Sequence, residues 1–436
     1  MNRYGYRRKS TFSIKNVGLL LVVVFIVFGA GYGVYKLFFI PAPIIEGKEA
    51  FNSLPLDKTI TLKGKNLRSI DITIIQGEKK IELLKDIPET GEKTYTLQVK
   101  PKDMGLTDGP ATVVIRARSG ILKDIKYEVS STIDTIPPKL EVLKASPYID
   151  RGSAGAASFR ASDADSVFVK LDEHMFRAFR SGPETESIYY VFFPAPLDIK
   201  DKAVFYVVAK DTAGNQTVRS LPTKFKDKKY TESSITIDDS FMNSVISPLL
   251  NETSISDPVS SFKKVNEDWR KESMTKVFEL GQTTDPDILW DGRFLQLRNS
   301  KVMAKYGDRR VYLYNGKAIS RSVHLGYDLA SVSNSPVEAA NSGVVRFSGD
   351  LGIYGNTVII DHGMGLMSLY GHLSTVTVRQ GQSVEKGDII AQTGSTGLAG
   401  GDHLHFGILL HGIEISPLYW WDPHWIKVNI LDYLEQ

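Results

Sequence analysis

The 436-residue chain contains no cysteine. This absence excludes disulfide bonds, cysteine-ligated zinc sites, thiol nucleophiles and a lipid anchor attached to a cysteine. It fits an exported protein, because a chain without cysteine folds outside the cytoplasm without an oxidase. Any metal site or catalytic site must therefore be built from histidine, carboxylate, hydroxyl and amide groups.

The chain also has little excess of positive over negative charge, and it lacks one common zinc-binding motif. Lysine and arginine number 53 and aspartate and glutamate 50, so the net charge is only +3. Such a small excess gives no indication of nucleic-acid binding. The sequence also lacks His-Glu-x-x-His, the helical motif that supplies two zinc ligands and a glutamate base. A metallopeptidase with this sequence would need another base.

Histidine is unevenly distributed along the chain. Of eight histidines, only His174 precedes position 324. His403 and His405 lie in an apolar stretch that predicts a strand, so they point the same way, roughly 6–7 Å apart. On that strand one imidazole can bind a metal while the other faces what the metal holds. This concentration of imidazoles indicates a chemical site in the last quarter of the chain.

Further ligands lie upstream, in His324-Leu325-Gly326-Tyr327-Asp328. In an extended chain His324 and Asp328 would be about 13 Å apart, too far to share one ion. Gly326 between them is expected to allow the necessary bend. Two neutral imidazoles and one carboxylate suit Zn²⁺ and leave a fourth position open. His372 and His403 are then available for acid, base or transition-state-stabilising roles.

These motifs resemble the lysostaphin/LytM-type zinc metallopeptidases, which cut peptide cross-links of bacterial cell walls. The likeness covers roughly residues 300–425 and includes His-x-x-x-Asp, Tyr-x-His-Leu and His-x-His within a glycine-rich matrix. The resemblance implies that His324, Asp328 and His405 bind Zn²⁺. It also implies that His372 and His403 form the catalytic pair. None of these positions departs from the family pattern.

Other residues of this region have simpler interpretations. His362 lies in Asp-His-Gly, which predicts a turn between strands, and His411 and His424 are expected at the surface or in packing contacts. His174 is expected at the surface. Tyr354 and Trp420 are either groove residues or core residues.

The N-terminus predicts a membrane anchor. Residues 1–16 form a basic tail without an acid, and residues 17–39 contain a long apolar run that is expected to form a transmembrane helix. Flanking positive charge predicts a cytoplasmic N-terminus and a single-pass inner-membrane protein with its bulk in the periplasm. A cleaved signal peptide is the alternative, but its apolar core is shorter and it has a cleavage site, which is not evident here.

The chain between the anchor and the histidine region is expected to form separate modules. Residues 42–136 and 137–228 carry short alternating strands, and Asp-x-Ala-Gly-Asn in the second resembles bacterial Ig-like domains. Two Ig-like β-sandwiches would act as a spacer, and a ligand-binding surface is the alternative. The fold is therefore expected to be mainly β and multidomain, ending in a LytM-type β-sheet catalytic domain at 286–436.

Residues 236–285 instead show a helical spacing of apolar residues. This segment is either a helical connector packed on its neighbours or a lid over the zinc groove. Its charged side chains are expected to face water; they are Lys263, Lys264, Glu267, Arg270, Lys271 and Glu272.

Together these features predict a membrane-anchored periplasmic zinc metalloendopeptidase that hydrolyses peptide cross-links of peptidoglycan. Cross-links of the meso-diaminopimelate type are the favoured target. A regulatory protein partner is compatible with this hypothesis. The alternatives are a catalytically silent LytM-type scaffold that activates an amidase or the division machinery, and an adhesion protein whose last domain only binds the wall.

Overall fold

A computed structural model describes residues 14–120, 123–181, 187–200 and 203–434. The chain divides into two compact units, one of Met1–Pro137 with Thr212–Asn215 and the other of Pro138–Asp211 with Gln216–Gln436. The fold is mainly β, as the alternating sequence patterns predict, with helices at the N-terminus, in residues 239–280 and near the C-terminus.

The first element is the helix Ile14–Phe38. Its segment Val17–Tyr35 contains 19 residues without a charge and is not buried by the protein. At 1.5 Å per residue it is about 28 Å long, close to the hydrocarbon thickness of a bilayer. The helix therefore has the length and composition of a signal anchor or membrane helix.

The first unit continues as two sheets around one core. Alternate residues such as Ile60, Leu62, Ile72 and Ile74 are buried, because successive side chains on a strand point to opposite faces. The three-stranded sheet has the order Ile44–Glu46, Lys58–Lys65 and Glu92–Val99. The five-stranded sheet has the order Ser53–Leu54, Asp124–Ile133, Gly109–Arg118, Ser69–Gln76 and Lys79–Asp86.

The second unit begins with another pair of sheets, both four-stranded, around a core that includes Phe159, Val169, Phe193 and Val207. The strands of one sheet are Phe179–Ser181, Ile188–Pro194, Ala154–Ser162 and Lys139–Ala145. Those of the other are His174–Arg177, Ser166–Leu171, Tyr206–Lys210 and Gln216–Ser220. A parallel pair, Tyr148–Asp150 and Lys224–Lys226, completes this part. An Ig-like topology of the two sandwiches stays a prediction.

An eight-stranded antiparallel sheet organises the rest of the second unit. Seven of its strands follow one another in the order Lys301–Ala304, Tyr327–Ala330, Leu404–Leu410, Leu366–Gly371, Asn356–Asp361, Gly343–Asp350 and Ser383–Val384. The eighth strand, Ile413–Ile415, lies outside this order and pairs with Leu404–Leu410. Two three-stranded sheets flank it. One consists of Glu232–Ile237, Arg309–Tyr314 and Lys317–Val323. The other consists of Pro336–Glu338, Ile389–Gln392 and Thr375–Val376.

Both faces of the eight-stranded sheet are covered. Phe406, Ile408 and Leu410 face a core shared with Phe192 of the preceding sandwich and with Trp420. The C-terminal helix Pro423–Asn429 and the 3₁₀ turns Pro417–Trp421 and Leu431–Tyr433 lie on this side. Trp420 is fully buried there, so it is a core residue and not a groove residue.

The opposite face of that sheet packs against helices. Ile359, Leu369 and Leu409 contact a cluster that includes the helical residues Phe262 and Val277. The helical elements are Asp239–Phe241, Met242–Ile246, Ser247–Leu250, Pro258–Lys263, Lys264–Trp269 and Arg270–Leu280, of which Met242–Ile246 and Lys264–Trp269 are π-helical. The helices therefore pack on the sheet; a connector and a movable lid both stay predictions.

Candidate metal centre

Two side chains four residues apart, His324 and Asp328, meet a third from a distant part of the chain, His405, at one end of the eight-stranded sheet. Asp328 and His405 are directly opposite each other on neighbouring strands, and His324 follows the strand Lys317–Val323. His324 Nε2 lies 2.8 Å and His405 Nδ1 3.0 Å from Asp328 Oδ1, and the two nitrogens are 3.2 Å apart. The structure therefore brings together the three predicted ligands.

Gly326 is required here for a different reason from the one predicted. It does not have the positive φ of a glycine-dependent bend. Instead, a Cβ at this position would lie 2.6 Å from His405 Nε2 and 2.7 Å from Phe406 O. A side chain would displace the imidazole, so Gly326 allows the close approach of the chain to His405.

Hydrogen bonds outside this group fix the orientation of its members. His324 Nδ1 donates to Lys305 O at 3.0 Å, because a carbonyl oxygen only accepts, and Nε2 is therefore the nitrogen with the lone pair. Arg310 donates from Nη2 to Asp328 Oδ2 at 3.3 Å. Oδ1 of the same carboxylate is thus directed at the two imidazoles.

His372 and His403 face the same cavity. Each donates from Nδ1 to a backbone carbonyl at 2.8 Å, His372 to Thr396 O and His403 to Gly401 O. Nε2 of each ring therefore carries the lone pair when the ring is neutral. The two ring centroids are 4.8 Å apart, and His403 Nε2 lies 3.6 Å from Asp328 Oδ1.

The backbone of His372 is in an unusual conformation. Its φ is +61°, in the left-handed region that side chains other than glycine rarely adopt. The strain is offset by hydrogen bonds on both sides of the residue, from its backbone N–H to Tyr354 O at 2.7 Å and from its ring to Thr396 O. Such strain is frequent at functional sites.

Burial and contacts within the group together set the charges of its members at neutral pH. Burial lowers the pKa of His372 to about 3 and that of His405 to about 4, so both rings are neutral. Burial alone would raise the pKa of Asp328, but its interactions with His324 and His405 outweigh this and hold that pKa well below its usual range. Two imidazoles therefore face an ionised carboxylate.

This donor set fits a divalent cation. With the His324 proton on Nδ1, the contact between Nε2 and Asp328 Oδ1 joins two atoms that both carry lone pairs. Such a contact is repulsive unless a proton or a cation lies there. His324, Asp328 and His405 are also a group of metal-type ligands whose donor atoms all lie within 4.8 Å of one another. A nitrogen and oxygen donor set of this kind suits zinc and similar ions.

The cavity over this group has a volume of about 130 Å³. Tyr354 lines it, with its ring 5.4 Å from that of His405. Arg270 and Arg310 line it as well. Arg270 is half-buried and lines this cavity, so the prediction that it faces water is wrong. No sequence pattern indicated that Arg310 lies in the site.

The other histidines lie elsewhere. His362 and His411 are buried, whereas His424 is exposed. His174 is half-buried rather than fully at the surface, with its ring stacked on Phe176. The structure thus separates five predicted site residues from the remaining histidines.

Comparison with known proteins gives a consistent result for this region. Residues 322–417 match Peptidase family M23. The DD-carboxypeptidase/endopeptidase Mpg of Neisseria meningitidis serogroup B is 41% identical over 96 residues, 22% of this chain and 22% of that protein. The peptidoglycan DD-endopeptidase ShyA of Vibrio cholerae is 36% identical over 118 residues, 27% of each chain. A lipoprotein NlpD/LppB homolog of Pseudomonas aeruginosa is 41% identical over 102 residues, 23% of this chain and 34% of that protein.

The family match covers residues 322–417, and the chain spans between about a fifth and a third of the length of these three relatives. Arg270 and Arg310 lie before the matched residues 322–417.

Proposed function

Because residues 322–417 form a peptidase domain of family M23, LytM/lysostaphin type, we propose that the protein is a membrane-anchored zinc metalloendopeptidase of peptidoglycan. It cuts the peptide cross-links of the wall. The observation that carries this proposal is the convergence of His324, Asp328 and His405 with two further imidazoles on one cavity.

His324, His405 and Asp328 would hold Zn²⁺ in this proposal. Bound zinc supplies Lewis acidity, which lowers the pKa of water and polarises a carbonyl oxygen. Arg310 contributes by holding Asp328 Oδ2 and so keeping Oδ1 directed at the imidazoles.

His372 and His403 carry the protons of the reaction. Each has Nε2 free to accept a proton, since Nδ1 is bound to a carbonyl. One imidazole accepts a proton from the attacking water, and the other donates to the leaving amine or to the developing oxyanion. This pair replaces the glutamate base of His-Glu-x-x-His enzymes.

The helix Val17–Tyr35 would place this chemistry outside the inner membrane. The basic residues before it favour a cytoplasmic N-terminus, so the sandwiches and the peptidase domain would lie in the periplasm. Peptidoglycan is then within reach, and the DD-endopeptidase names of two relatives support a cross-link as the bond that is cut.

The test uses the full chain in detergent. It is incubated with purified sacculi of the diaminopimelate type and of the glycine-bridged lysine type, with and without a chelator, and the released muropeptides are identified by mass. We expect release from the diaminopimelate wall, loss of release with chelator, and recovery on addition of Zn²⁺. Full zinc occupancy without release from either wall would contradict the proposal and favour the scaffold alternative.

A further inference from the structure

Arg270 reaches the metal cavity from outside the matched peptidase segment. It is the first residue of the helix Arg270–Leu280, and it lines the same cavity as His324, Asp328, His403 and His405. No comparison assigns it a role, because the family match begins at residue 322.

The guanidinium of Arg270 is held in a fixed orientation. Its Nε donates to Asn266 O at 3.1 Å and its Nη2 to Asn266 Oδ1 at 2.8 Å. Asn266 is buried and in turn donates to Ser320 Oγ at 2.9 Å. The helix and the neighbouring strand therefore hold the charged group in place before any ligand binds.

This guanidinium has no ion-pair partner among the residues that the structure describes. Its neighbour Arg310 differs, because Arg310 approaches both Asp308 and Asp328. Burial lowers the pKa of Arg270, although an arginine remains charged at any physiological pH. Asp328 and Glu414 act on this guanidinium electrostatically without forming an ion pair with it. Because the half-buried guanidinium lines the metal cavity, an anionic group of the ligand can become its direct partner.

The space beside Arg270 also extends away from the metal. Arg270 and Leu325 line a second cavity of about 390 Å³, whose other walls include Met274, Phe278 and Ile413. These walls are mainly apolar, and the carboxyl groups of Asp198 and Glu414 also line the cavity. A ligand group here would therefore combine a carboxylate at Arg270 with an aliphatic chain.

We propose that Arg270 binds the free carboxylate beside the scissile amide and makes the site selective for cross-links of the diaminopimelate type. This inference rests on the proposed function. In such a cross-link the amide nitrogen is attached to a carbon that bears a free carboxylate and an aliphatic chain. Glycine and lysine cross-links have no carboxylate at that carbon. The planar guanidinium suits a carboxylate because it can donate two parallel hydrogen bonds.

The test compares two cross-linked peptide dimers that differ only at this group, one with the free carboxylate and one with the carboxamide. The zinc-loaded full chain in detergent is assayed as wild type, Arg270→Gln and Arg270→Lys. Lys271→Gln is the matched control, since Lys271 is the exposed next residue of the same helix. Thermal unfolding confirms that each variant is folded.

For the wild type we expect kcat/KM to be about 10- to 100-fold higher with the acid than with the amide, as for a hydrogen-bonded charge pair. Arg270→Gln should reduce this ratio to within about threefold of unity, mainly through a loss on the acid. Arg270→Lys should retain part of the ratio, and Lys271→Gln all of it. Equal losses on both peptides in Arg270→Gln, or a wild-type ratio near one, would overturn the proposal.

A binding measurement separates this proposal from the proposed function. The acid and amide forms of the amine-side product peptide are titrated into the same proteins by calorimetry. Preferential binding of the acid that Arg270→Gln removes supports the carboxylate site even if no peptide is cleaved. Equal binding of acid and amide by the wild type rejects that site whatever the activity.

Discussion

Six buried or half-buried histidines of the second unit form two groups that differ in where their ring nitrogens are directed. The interior histidines are His362 and His411, and the groove histidines are His324, His372, His403 and His405. His362 bonds through both nitrogens, to Ser342 O and Ser368 Oγ, each at 2.7 Å. His411 donates from Nε2 to Phe192 O at 2.9 Å. Each groove histidine instead has a ring nitrogen directed at the cavity or at Asp328.

Burial does not distinguish the two groups. It lowers the pKa of His362 and of His411 to about 4, the same value as for His405. What separates them is that each groove histidine directs a ring nitrogen at the cavity or at Asp328, where that nitrogen can bind a cation or accept a proton. The comparison therefore predicts large functional effects in the groove and stability effects in the interior.

The largest effect is expected for His405→Ala. Loss of one of three ligands should reduce bound zinc from about one ion per chain to less than a tenth, and muropeptide release by more than about 10⁴-fold. Metal analysis and the sacculus assay measure both quantities. His424→Ala, at an exposed position, should change neither. Unchanged zinc in His405→Ala would remove this histidine from the ligand set.

The next effect is expected for His403→Ala. It should lower the rate of release by about 10²- to 10⁴-fold, the usual contribution of a general acid or base, while the zinc content stays at that of the wild type. Measuring both the rate of release and the zinc content distinguishes a general acid or base from a metal ligand. A parallel loss of zinc and activity would instead make His403 part of the metal site.

A smaller effect concerns the interior group and depends on pH. Free histidine has a pKa near 6.5, whereas that of buried His362 is about 4, so the unfolded chain takes up a proton first as the pH falls. The contribution of His362 to stability is therefore complete above pH 6.5 and is lost progressively toward pH 4, by about 3 kcal/mol. The free energy of unfolding, measured between pH 7.5 and 4.5, should fall less steeply with decreasing pH for His362→Gln than for the wild type. An equal pH dependence of the unfolding free energy in both proteins would show that folding does not lower the pKa of His362.

The smallest effect is expected for Arg310→Gln. Loss of the outer hydrogen bond to Asp328 should weaken zinc binding by about 10- to 100-fold without abolishing it. Competition with a chromophoric chelator measures the affinity. Arg309→Gln changes the exposed neighbouring arginine on the same strand and serves as the control. An affinity within twofold of the wild type would exclude a positioning role for Arg310.

Much of this arrangement could be predicted from the sequence. Apolar alternation indicated strands such as Ser69–Gln76 and Gly109–Arg118, because a half-buried strand has a period of two residues. Histidine spacing indicated His324, Asp328 and His405, which the structure brings within 3.2 Å of one another. Such signals are local, or depend on residue types that are rare elsewhere in this chain.

Arg270 could not be predicted in the same way. A helical period of 3.6 residues assigned it to the solvent face, but the preceding segment Lys264–Trp269 is π-helical. The wider turn holds more residues, which rotates every following side chain about the helix axis. After this segment Ser273 is buried, whereas Phe278 is 45% exposed.

Contacts between segments that are distant in sequence also could not be predicted from local sequence patterns. The strand Glu232–Ile237 pairs in parallel with Arg309–Tyr314, more than 70 residues later, and this sheet carries Arg310 to Asp328. Parallel neighbours so far apart leave no periodic signal in either segment.

The double cover of the eight-stranded sheet decides where the chain can be shortened. A fragment that starts at 286 would present Ile359, Met367, Leu369 and Leu409 to water on one face, since their partners lie in the helices. It would also lose Phe192 and Ala156 from the other face. Such a fragment is expected to aggregate through these exposed apolar residues, and it lacks Arg270. A soluble fragment for assay or crystallisation should therefore begin near Pro138, where the second unit starts.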